Sequence, residues 1–135
     1  MKLGTGIRLG AGAVATAFLL AGCADPAATT HAVHLTHDGS ETFEVSMQVG
    51  QHLSIVDDGF NASVGDGWTV VGPPDPAILR YDGEDVVLNN PGADGSGGTY
   101  SFDYTAIGAG TTTVTVEYAY RGDAQFESTV RVTVD

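Results

Sequence analysis

The sequence predicts an all-β protein, and three observations support this fold class. Apolar and polar residues alternate with a period of two in several segments after residue 40, which is typical of half-buried strands. Turn-forming residues interrupt these segments about every eight to twelve residues. Helical periodicity is nearly absent after residue 22. About eight short strands spaced in this way favour an immunoglobulin-like β-sandwich.

Each predicted strand places its apolar side chains on one face. In residues 126–134, for example, Phe126, Val130 and Val134 alternate with polar neighbours. We interpret the segments with this pattern as antiparallel strands, half-buried in the core. The clearest ones are residues 43–49, 52–56, 99–106, 111–120 and 126–134.

Glycines and prolines mark the boundaries between these strands. Gly50 separates residues 43–49 from residues 52–56, and residues 108–110 separate two of the later strands. Residues 81–83 are expected to form a turn between two separate strands. Three prolines lie close together, and because proline cannot donate to a central strand, we assign them to a linker: Pro73, Pro74 and Pro76.

The N-terminus has the layout of a secretory leader. Lys2 and Arg8 precede an apolar run over residues 11–20, and small residues lead to Cys23. A basic start, a short apolar run and a small-residue cleavage site define a signal peptide, which we expect to be residues 1–22. The apolar run is too short to span a bilayer.

The stretch Leu-Ala-Gly-Cys that ends at Cys23 resembles the bacterial lipobox, and this resemblance implies a diacylglyceryl group on that cysteine. Cleavage beside a chance cysteine is the alternative. Cys23 is the only cysteine, so a disulfide framework is excluded. We expect a lipidated cysteine and flexible tether over residues 23–30, a folded domain over residues 31–135, and a lipid anchor that holds the protein at the cell membrane on its extracytoplasmic side.

The charge of the chain limits its partners. Without residues 1–22, the strongly basic side chains are three arginines, against seventeen carboxylates. Such a chain cannot neutralise phosphates, so we expect no nucleic-acid binding. The acidity keeps a surface protein soluble or speeds its association with a basic partner. We expect a monomer.

The sequence lacks the common motifs of enzyme active sites. It has no Gly-x-Ser-x-Gly elbow, no phosphate-binding loop and no paired-cysteine metal motif, and it implies no cofactor. His31, His34 and His37 are spaced by three, but the segment is a strand or tether, where they would not share one face. We therefore favour solvated histidines over a metal site. Asn61-Ala62-Ser63 is a formal glycosylation sequon that a bacterial leader makes irrelevant.

Residues 59–68 form a long loop of small residues before the only tryptophan, Trp68. Asn61-Ala62-Ser63-Val64-Gly65-Asp66-Gly67-Trp68 resembles the Asn-Pro-Thr-Thr-Gly-x-x-Trp loop of the chagasin family of cysteine-protease inhibitors. Residues 95–102 resemble that family's Gly-x-Gly-Gly loop and the strand after it. Residues 108–118 resemble the strand that leads to its Arg-Pro-Trp motif, and residues 43–56 its paired opening strands.

The resemblance implies a function and a set of contact residues. In this family three loops at one end of an immunoglobulin-like sandwich fill the active-site cleft of papain-like cysteine peptidases. It implies no catalytic residue. Trp68 is expected in the core at the start of a strand. The residues that the resemblance places in the three loops are Asn61, Ala62, Ser63, Val64 and Gly65, then Gly95, Ser96, Gly97 and Gly98, then Tyr120, Arg121 and Gly122.

The sequence departs from the family pattern in two loops. Ala62 stands at the family's proline and Val64 at its second threonine, so the first loop should be less pre-organised. The third loop lacks Arg-Pro-Trp: alignment on Tyr118 puts Tyr120, Arg121 and Gly122 at those places, and a one-residue slip would instead match Arg121 to the arginine. The tripeptide Arg121-Gly122-Asp123 is interpreted as a turn after a strand.

The sequence therefore predicts a reversible inhibitor of papain-like cysteine peptidases that occludes their active-site cleft. The alternative is a surface-anchored binding or assembly module with the same fold and no peptidase target. An enzyme is the least favoured of the three function classes.

Overall fold

The computed structural model describes residues 29–135, which form eight strands. The predicted signal peptide and the lipidation site at Cys23 lie outside these residues. The strands are β1 (Thr30–His34), β2 (Thr42–Met47), β3 (His52–Phe60), β4 (Asp66–Gly72), β5 (Leu79–Leu88), β6 (Gly98–Ala106), β7 (Gly110–Tyr120) and β8 (Asp123–Val134). Within the described part, no helix is long and apolar enough to cross a membrane.

The strands form two sheets of four, which confirms the predicted eight-stranded sandwich. One sheet has the order β1-β3-β6-β5 and the other the order β2-β8-β7-β4. The sheets bury the apolar faces that the period-two pattern predicts. In β3, Leu53 and Ile55 are fully buried, and they face the equally buried Val114, Val116 and Val130 through a shared core. Full burial of one such side chain stabilises the fold by about 1.5–3 kcal/mol.

Two strand pairs differ from the antiparallel prediction. β1 runs parallel to β3, and β2 runs parallel to β8. Moreover, β2 and β3 are not paired, because the turn at Gly50 carries the chain from one sheet to the other. A period-two pattern reports which face of a strand is buried. It does not report the direction or the sheet of the strand's partner, so it could not predict these pairings.

The predicted turn at residues 81–83 is also wrong. β5 is one continuous strand from Leu79 to Leu88, and it pairs with β6 on both sides of a register shift between Tyr81 and Gly83. Gly83 has a φ of 128°, a conformation that glycine adopts easily, so it forms a bulge inside the strand. The proline linker is as predicted, between the end of β4 at Gly72 and the start of β5.

Candidate functional site

Three connections meet at one end of the sandwich. We call them loop 1 (residues 61–65, between β3 and β4), loop 2 (residues 89–97, between β5 and β6) and loop 3 (residues 121–122, between β7 and β8). The side-chain amide of Asn61 in loop 1 donates to the carbonyl of Gly95 in loop 2 at 3.1 Å. The backbone N–H of Arg121 in loop 3 donates to the carbonyl of Gly65 in loop 1 at 2.8 Å. Loop 1 is therefore the central element and bonds to both neighbours.

The shape of loop 1 is fixed by a capped 3₁₀ turn over Ala62–Val64. The Oδ1 atom of Asn61 accepts from the backbone N–H of Ser63 at 2.9 Å, as an N-cap residue does. At the other end, Gly65 has a φ of 109°, and its N–H donates to the carbonyl of Ala62 at 3.1 Å. Ala62, Ser63 and Val64 are all exposed. Loop 1 is thus a short, exposed tip with a defined backbone.

Asp66 connects the base of loop 1 to the core, a role that the sequence did not indicate. One carboxylate oxygen accepts from the backbone N–H of Asn61 at 2.8 Å, and the other accepts from the hydroxyl of Tyr118 at 2.6 Å. Tyr118 lies in β7 and is buried. Burial, together with this hydrogen bond and the charge of Asp66, raises the pKa of Tyr118 to about 12. The phenol therefore keeps its proton and its hydrogen bond over the whole neutral range.

Trp68 lies in the core at the start of β4, as predicted, and its indole bonds to a buried carboxylate. Its Nε1 donates to Oδ2 of Asp57 at 2.8 Å, and Asp57 is only 2% exposed. His37 Nε2 lies 2.6 Å from the same oxygen, and the His37 ring stacks on Tyr118 with centroids 4.6 Å apart. A buried indole N–H requires a hydrogen-bond acceptor. A tryptophan predicted in the core therefore also indicated a buried acceptor beside it.

Loop 3 is a two-residue turn. Arg121 and Gly122 have φ values of 54° and 87°, and positive φ at both central residues is the geometry of a type I′ hairpin turn. The turn interpretation of Arg121-Gly122-Asp123 is therefore confirmed. The Arg121 guanidinium lies 5.2 Å from the centre of the Tyr120 ring, and Tyr120 is 39% exposed.

Close packing against loop 3 explains the glycine that ends loop 1. A Cβ atom built on Gly65 would lie 2.6 Å from Cγ of Arg121, which is closer than carbon atoms approach each other. Its φ of 109° disfavours other residues as well. Gly65 is therefore required by the contact between two loops of this chain. From the sequence, its place in the loop was implied only by the family resemblance.

Loop 2 owes its shape mainly to its own backbone and to Ser96. The backbone N–H of Asn89 donates to the carbonyl of Gly97 at 2.9 Å, and that of Asn90 donates to the Ser96 hydroxyl at 3.0 Å. Gly95 is exposed, with a φ of 75°. Gly98, in contrast, is buried as the first residue of β6, and a Cβ there would overlap the carbonyl oxygen of Val87. The structure therefore gives Gly98 a role in pairing β5 with β6.

A cavity of about 210 Å³ separates loops 1 and 2. Ala62 and Ser63 line one side, and Gly95 and Ser96 line the other. It is completed by five residues that the sequence did not indicate, which are Phe60, Val86, Leu88, Ala93 and Asp94. Val86 and Leu88 are 43% and 46% exposed. In the sequence, the apolar run Val86-Val87-Leu88 near the end of a strand was the feature that could have indicated an apolar surface here.

The three histidines spaced by three bond to separate partners. His31 contacts Gln51 at 2.8 Å, His34 contacts Asp58 at 2.8 Å, and His37 contacts Asp57. Among residues 29–135, no group of three or more histidine, cysteine or acidic side chains is placed to hold a metal ion. His37 and Trp68 share the same carboxylate oxygen of Asp57.

A comparison with protein families identifies the chain. The profile described as "Chagasin family peptidase inhibitor I42" matches residues 38–134. The chain belongs to the chagasin family. Because this is a family of peptidase inhibitors, the prediction that the chain is not an enzyme is confirmed. Among curated proteins, none matches this sequence.

Three solved structures have a similar fold. The cysteine protease inhibitor EhICP2 from Entamoeba histolytica is 15% identical, with a TM-score of 0.60, over 79% of this chain and 96% of that one. Amebosin is 23% identical with a TM-score of 0.57, and PbICP-C, solved in complex with falcipain-2, is 16% identical with a TM-score of 0.55. Both cover 79% of this chain, and 98% and 99% of their own chains. They confirm the predicted immunoglobulin-like fold.

Proposed function

We propose that this chagasin-family chain reversibly inhibits papain-like cysteine peptidases by placing loops 1, 2 and 3 in their active-site cleft. Family membership supports inhibition of a peptidase. The similar structures support the class of target, since EhICP2 is described as a cysteine protease inhibitor and PbICP-C was solved with falcipain-2 bound.

The observation that carries the proposal is the construction of loop 1. Its three tip residues are small or medium in size and exposed, so the backbone can enter a narrow groove. Asn61 and Asp66 hold the tip in one conformation through bonds at both ends. A loop that is ordered before binding loses less conformational entropy when it binds, which favours affinity. The cap and the Asp66 bond thus supply rigidity that a proline at position 62 would otherwise give.

Apolar contacts at the loop end would add binding energy. Val64 is 45% exposed on loop 1, and Tyr120 is 39% exposed beside loop 3. Aromatic side chains are enriched among the residues that dominate interface energies. Loop 3 has only two residues, Arg121 and Gly122, and neither of them is aromatic. We propose that Tyr120 provides the aromatic contact at this position.

Inhibition assays with a panel of papain-like peptidases test the proposal. A soluble form that begins at Ala24 should inhibit at least one of them in a competitive and reversible manner, with activity recovered on dilution. A serine peptidase assayed in the same way serves as the specificity control. Lack of any effect at micromolar inhibitor on every enzyme of the panel would refute the proposal. A stable non-peptidase partner captured through a strand face would then favour the binding-module alternative.

We further propose that a lipid on Cys23 anchors the chain to the membrane and leaves the loops facing away from it. β1 begins at Thr30, which is paired with His52, the first residue of β3. Loop 1 follows Phe60, the last residue of β3. Thr30 therefore lies beside the end of β3 that is opposite loop 1. The nine extended residues of β3 separate these two ends by about 30 Å. The domain would hold its inhibitory loops away from the lipid.

Replacement of the cysteine tests this anchor. Cys23→Ser removes the thiol that would accept the diacylglyceryl group, so the protein should move from the detergent phase to the aqueous phase or remain unprocessed. A chain with Ser40→Ala, far along the sequence, controls for expression and handling. Full membrane recovery of a correctly processed Cys23→Ser chain would exclude lipidation as the means of attachment.

A further inference from the structure

A second and larger cavity opens on the side of the sandwich. It has a volume of about 480 Å³ and lies between the edge strands β4 and β5 of the two sheets. It shares no lining residue with the cavity between loops 1 and 2. Sites for small molecules commonly have volumes of about 300–1,000 Å³. This cavity is therefore large enough for a small ligand and is separate from the proposed inhibitory loops.

Half of the residues that line this side cavity are aromatic. Trp68, Phe102 and Tyr104 are each 5% exposed or less, and Tyr81 and Tyr100 stand nearer the solvent. The rings contact one another in two pairs, since the centroids of Tyr81 and Tyr104 lie 5.3 Å apart and those of Tyr100 and Phe102 lie 5.1 Å apart. The face of an aromatic ring attracts cations, including substituted ammonium groups.

The only charged side chain that lines the cavity is a carboxylate, that of Glu84. The Tyr100 hydroxyl donates to it and fixes its position at the rim. Burial, followed by the charges of Glu84 and Asp103, raises the pKa of the adjacent Tyr81. Arg80, the nearest basic residue along β5, is paired with Asp82 at 3.0 Å and does not line the cavity. The charge of the site therefore favours a cation.

The hydroxyl group of Tyr104 adds a hydrogen-bond donor to the lining of the cavity. It is 1% exposed, and among the described residues its hydroxyl has no hydrogen-bond partner, whereas those of Tyr100 and Tyr118 each bond to a carboxylate. Buried hydroxyls in proteins are nearly always bonded. Because Tyr104 lines the cavity, an oxygen atom of a bound molecule could accept this proton.

We propose that the side cavity is a binding site for a small organic cation that carries a substituted ammonium group, an apolar or aromatic body and an oxygen acceptor. The ammonium group would lie beside Glu84 and against the tyrosine rings. The body would occupy the space over Trp68 and Phe102, and the oxygen would accept from Tyr104. This binding does not depend on the proposed inhibition.

Trp68 provides the signal for a direct test, because it is the only tryptophan and lines the cavity. The purified full chain, in a nonionic detergent, is titrated with benzoylcholine, with N-acetyltryptophanamide as the blank. We expect a saturable change in fluorescence. The uncharged isostere 3,3-dimethylbutyl benzoate should bind at least ten times more weakly, and benzenesulfonate should not bind.

Variants locate the site. Glu84→Gln and Tyr81→Ala should each weaken binding of benzoylcholine by about tenfold, and Tyr104→Phe should weaken it severalfold. The matched controls Glu127→Gln and Tyr120→Ala lie outside the cavity and should bind like the parent, as should Ser63→Arg in loop 1. Absence of saturable binding, equal binding of the uncharged isostere, or equal affinities for Glu84→Gln and Glu127→Gln would each overturn the proposal.

Discussion

Loops 1 and 2 lie side by side but reach an ordered shape in different ways. Loop 1 has five residues, and polar side chains at its base connect it to the core: Asn61 bonds within the loop, and Asp66 bonds to the loop and to buried Tyr118. Loop 2 has nine residues, two of them glycines with positive φ, and most of its bonds are internal. Its side-chain bond to loop 1 is donated by Asn61.

The difference indicates that loop 1 positions loop 2. A long glycine-rich loop has more conformations to lose than a short capped one, so its order depends more on contacts with neighbours. Asn61 has both functions, since its oxygen caps loop 1 and its amide holds Gly95. Changes at the tip of loop 1 should therefore affect binding alone, while changes at Asn61 should affect both loops.

The largest expected effect is that of Ser63→Arg at the tip of loop 1. Ser63 is exposed, and its hydroxyl has no hydrogen-bond partner in the described chain, so the free energy of unfolding should change by no more than about 0.5 kcal/mol. Inhibition should be lost, because a long charged side chain cannot enter a narrow cleft without a clash or a desolvation cost. A thermal melt and an inhibition curve measure the two effects.

Ser63→Ala is the matched control for this substitution, and it should inhibit nearly as well as the parent. A Ser63→Arg chain that melts and inhibits like the parent would show that loop 1 does not enter the target. Equal loss of fold and of inhibition would instead show that the tip is structural.

The next largest effect is expected at Asn61. Asn61→Ala removes the cap and the bond to Gly95, which together should weaken inhibition by about tenfold to a hundredfold, at about 1 kcal/mol for each interaction. Asn61→Asp keeps an oxygen that can cap Ser63 but loses the donor to Gly95. If loop 1 positions loop 2, Asn61→Asp should lose about half of that binding energy and remain as stable as the parent.

Inhibition constants and unfolding curves for Asn61→Ala and Asn61→Asp test whether loop 1 positions loop 2. Parent-like inhibition by Asn61→Asp would mean that loop 2 is ordered without loop 1, or that it does not contact the target. Gly95 and Ser96 would then need to be tested directly.

A third effect concerns Tyr118, which connects loop 1 to the core through Asp66. Tyr118→Phe leaves a carboxylate oxygen without its donor and should lower the free energy of unfolding at pH 7 by about 1–3 kcal/mol. Because the folded state raises the pKa of Tyr118 to about 12, its stabilising contribution is complete below pH 10 and is lost as the pH rises from about 10 to about 12. The parent should therefore unfold more readily over that pH range.

Tyr104→Phe is the control for Tyr118→Phe. Burial also raises the pKa of Tyr104 to about 12, so both variants should lose less stability between pH 10 and pH 12 than the parent. Only Tyr118→Phe should be less stable at pH 7 and inhibit severalfold more weakly, because only its hydroxyl bonds to a partner in the described chain. Equal stabilities of the two variants at pH 7 would show that the Asp66 bond contributes nothing.

The sequence was sufficient for most of the strands and their buried faces, because period-two alternation follows directly from which face is buried. The valines of β7 and β8 lie where that pattern puts them. The pattern could not separate a bulge from a turn at Gly83, since glycine suits both. It also could not show that β1 and β2 join different sheets, since strand partners depend on contacts that are distant along the chain.

The sequence indicated a loop at residues 61–65, but it could not show the bonds that hold this loop. Asp57 and Asp66 are two carboxylates among seventeen, and only the fold brings one to Trp68 and the other to Tyr118. Because these bonds were unknown, the absence of proline at position 62 suggested a loosely ordered loop. The structure instead shows a loop held by side chains, in which a proline would make a smaller difference.

The smallest effect is therefore expected for Ala62→Pro. Ala62 is the first residue of the 3₁₀ turn, a position where proline is favoured because its missing N–H needs no partner there. Asn61 before it is extended, with a φ of −145° and a ψ of 100°, as the residue before a proline should be. Proline at a compatible position stabilises by about 0.4–1 kcal/mol, so inhibition should tighten by about two- to fivefold at most. A tightening of a hundredfold would mean that the cap at Asn61 and the bond to Asp66 do not order loop 1 in solution, and that loop 1 resembles loop 2 in its freedom.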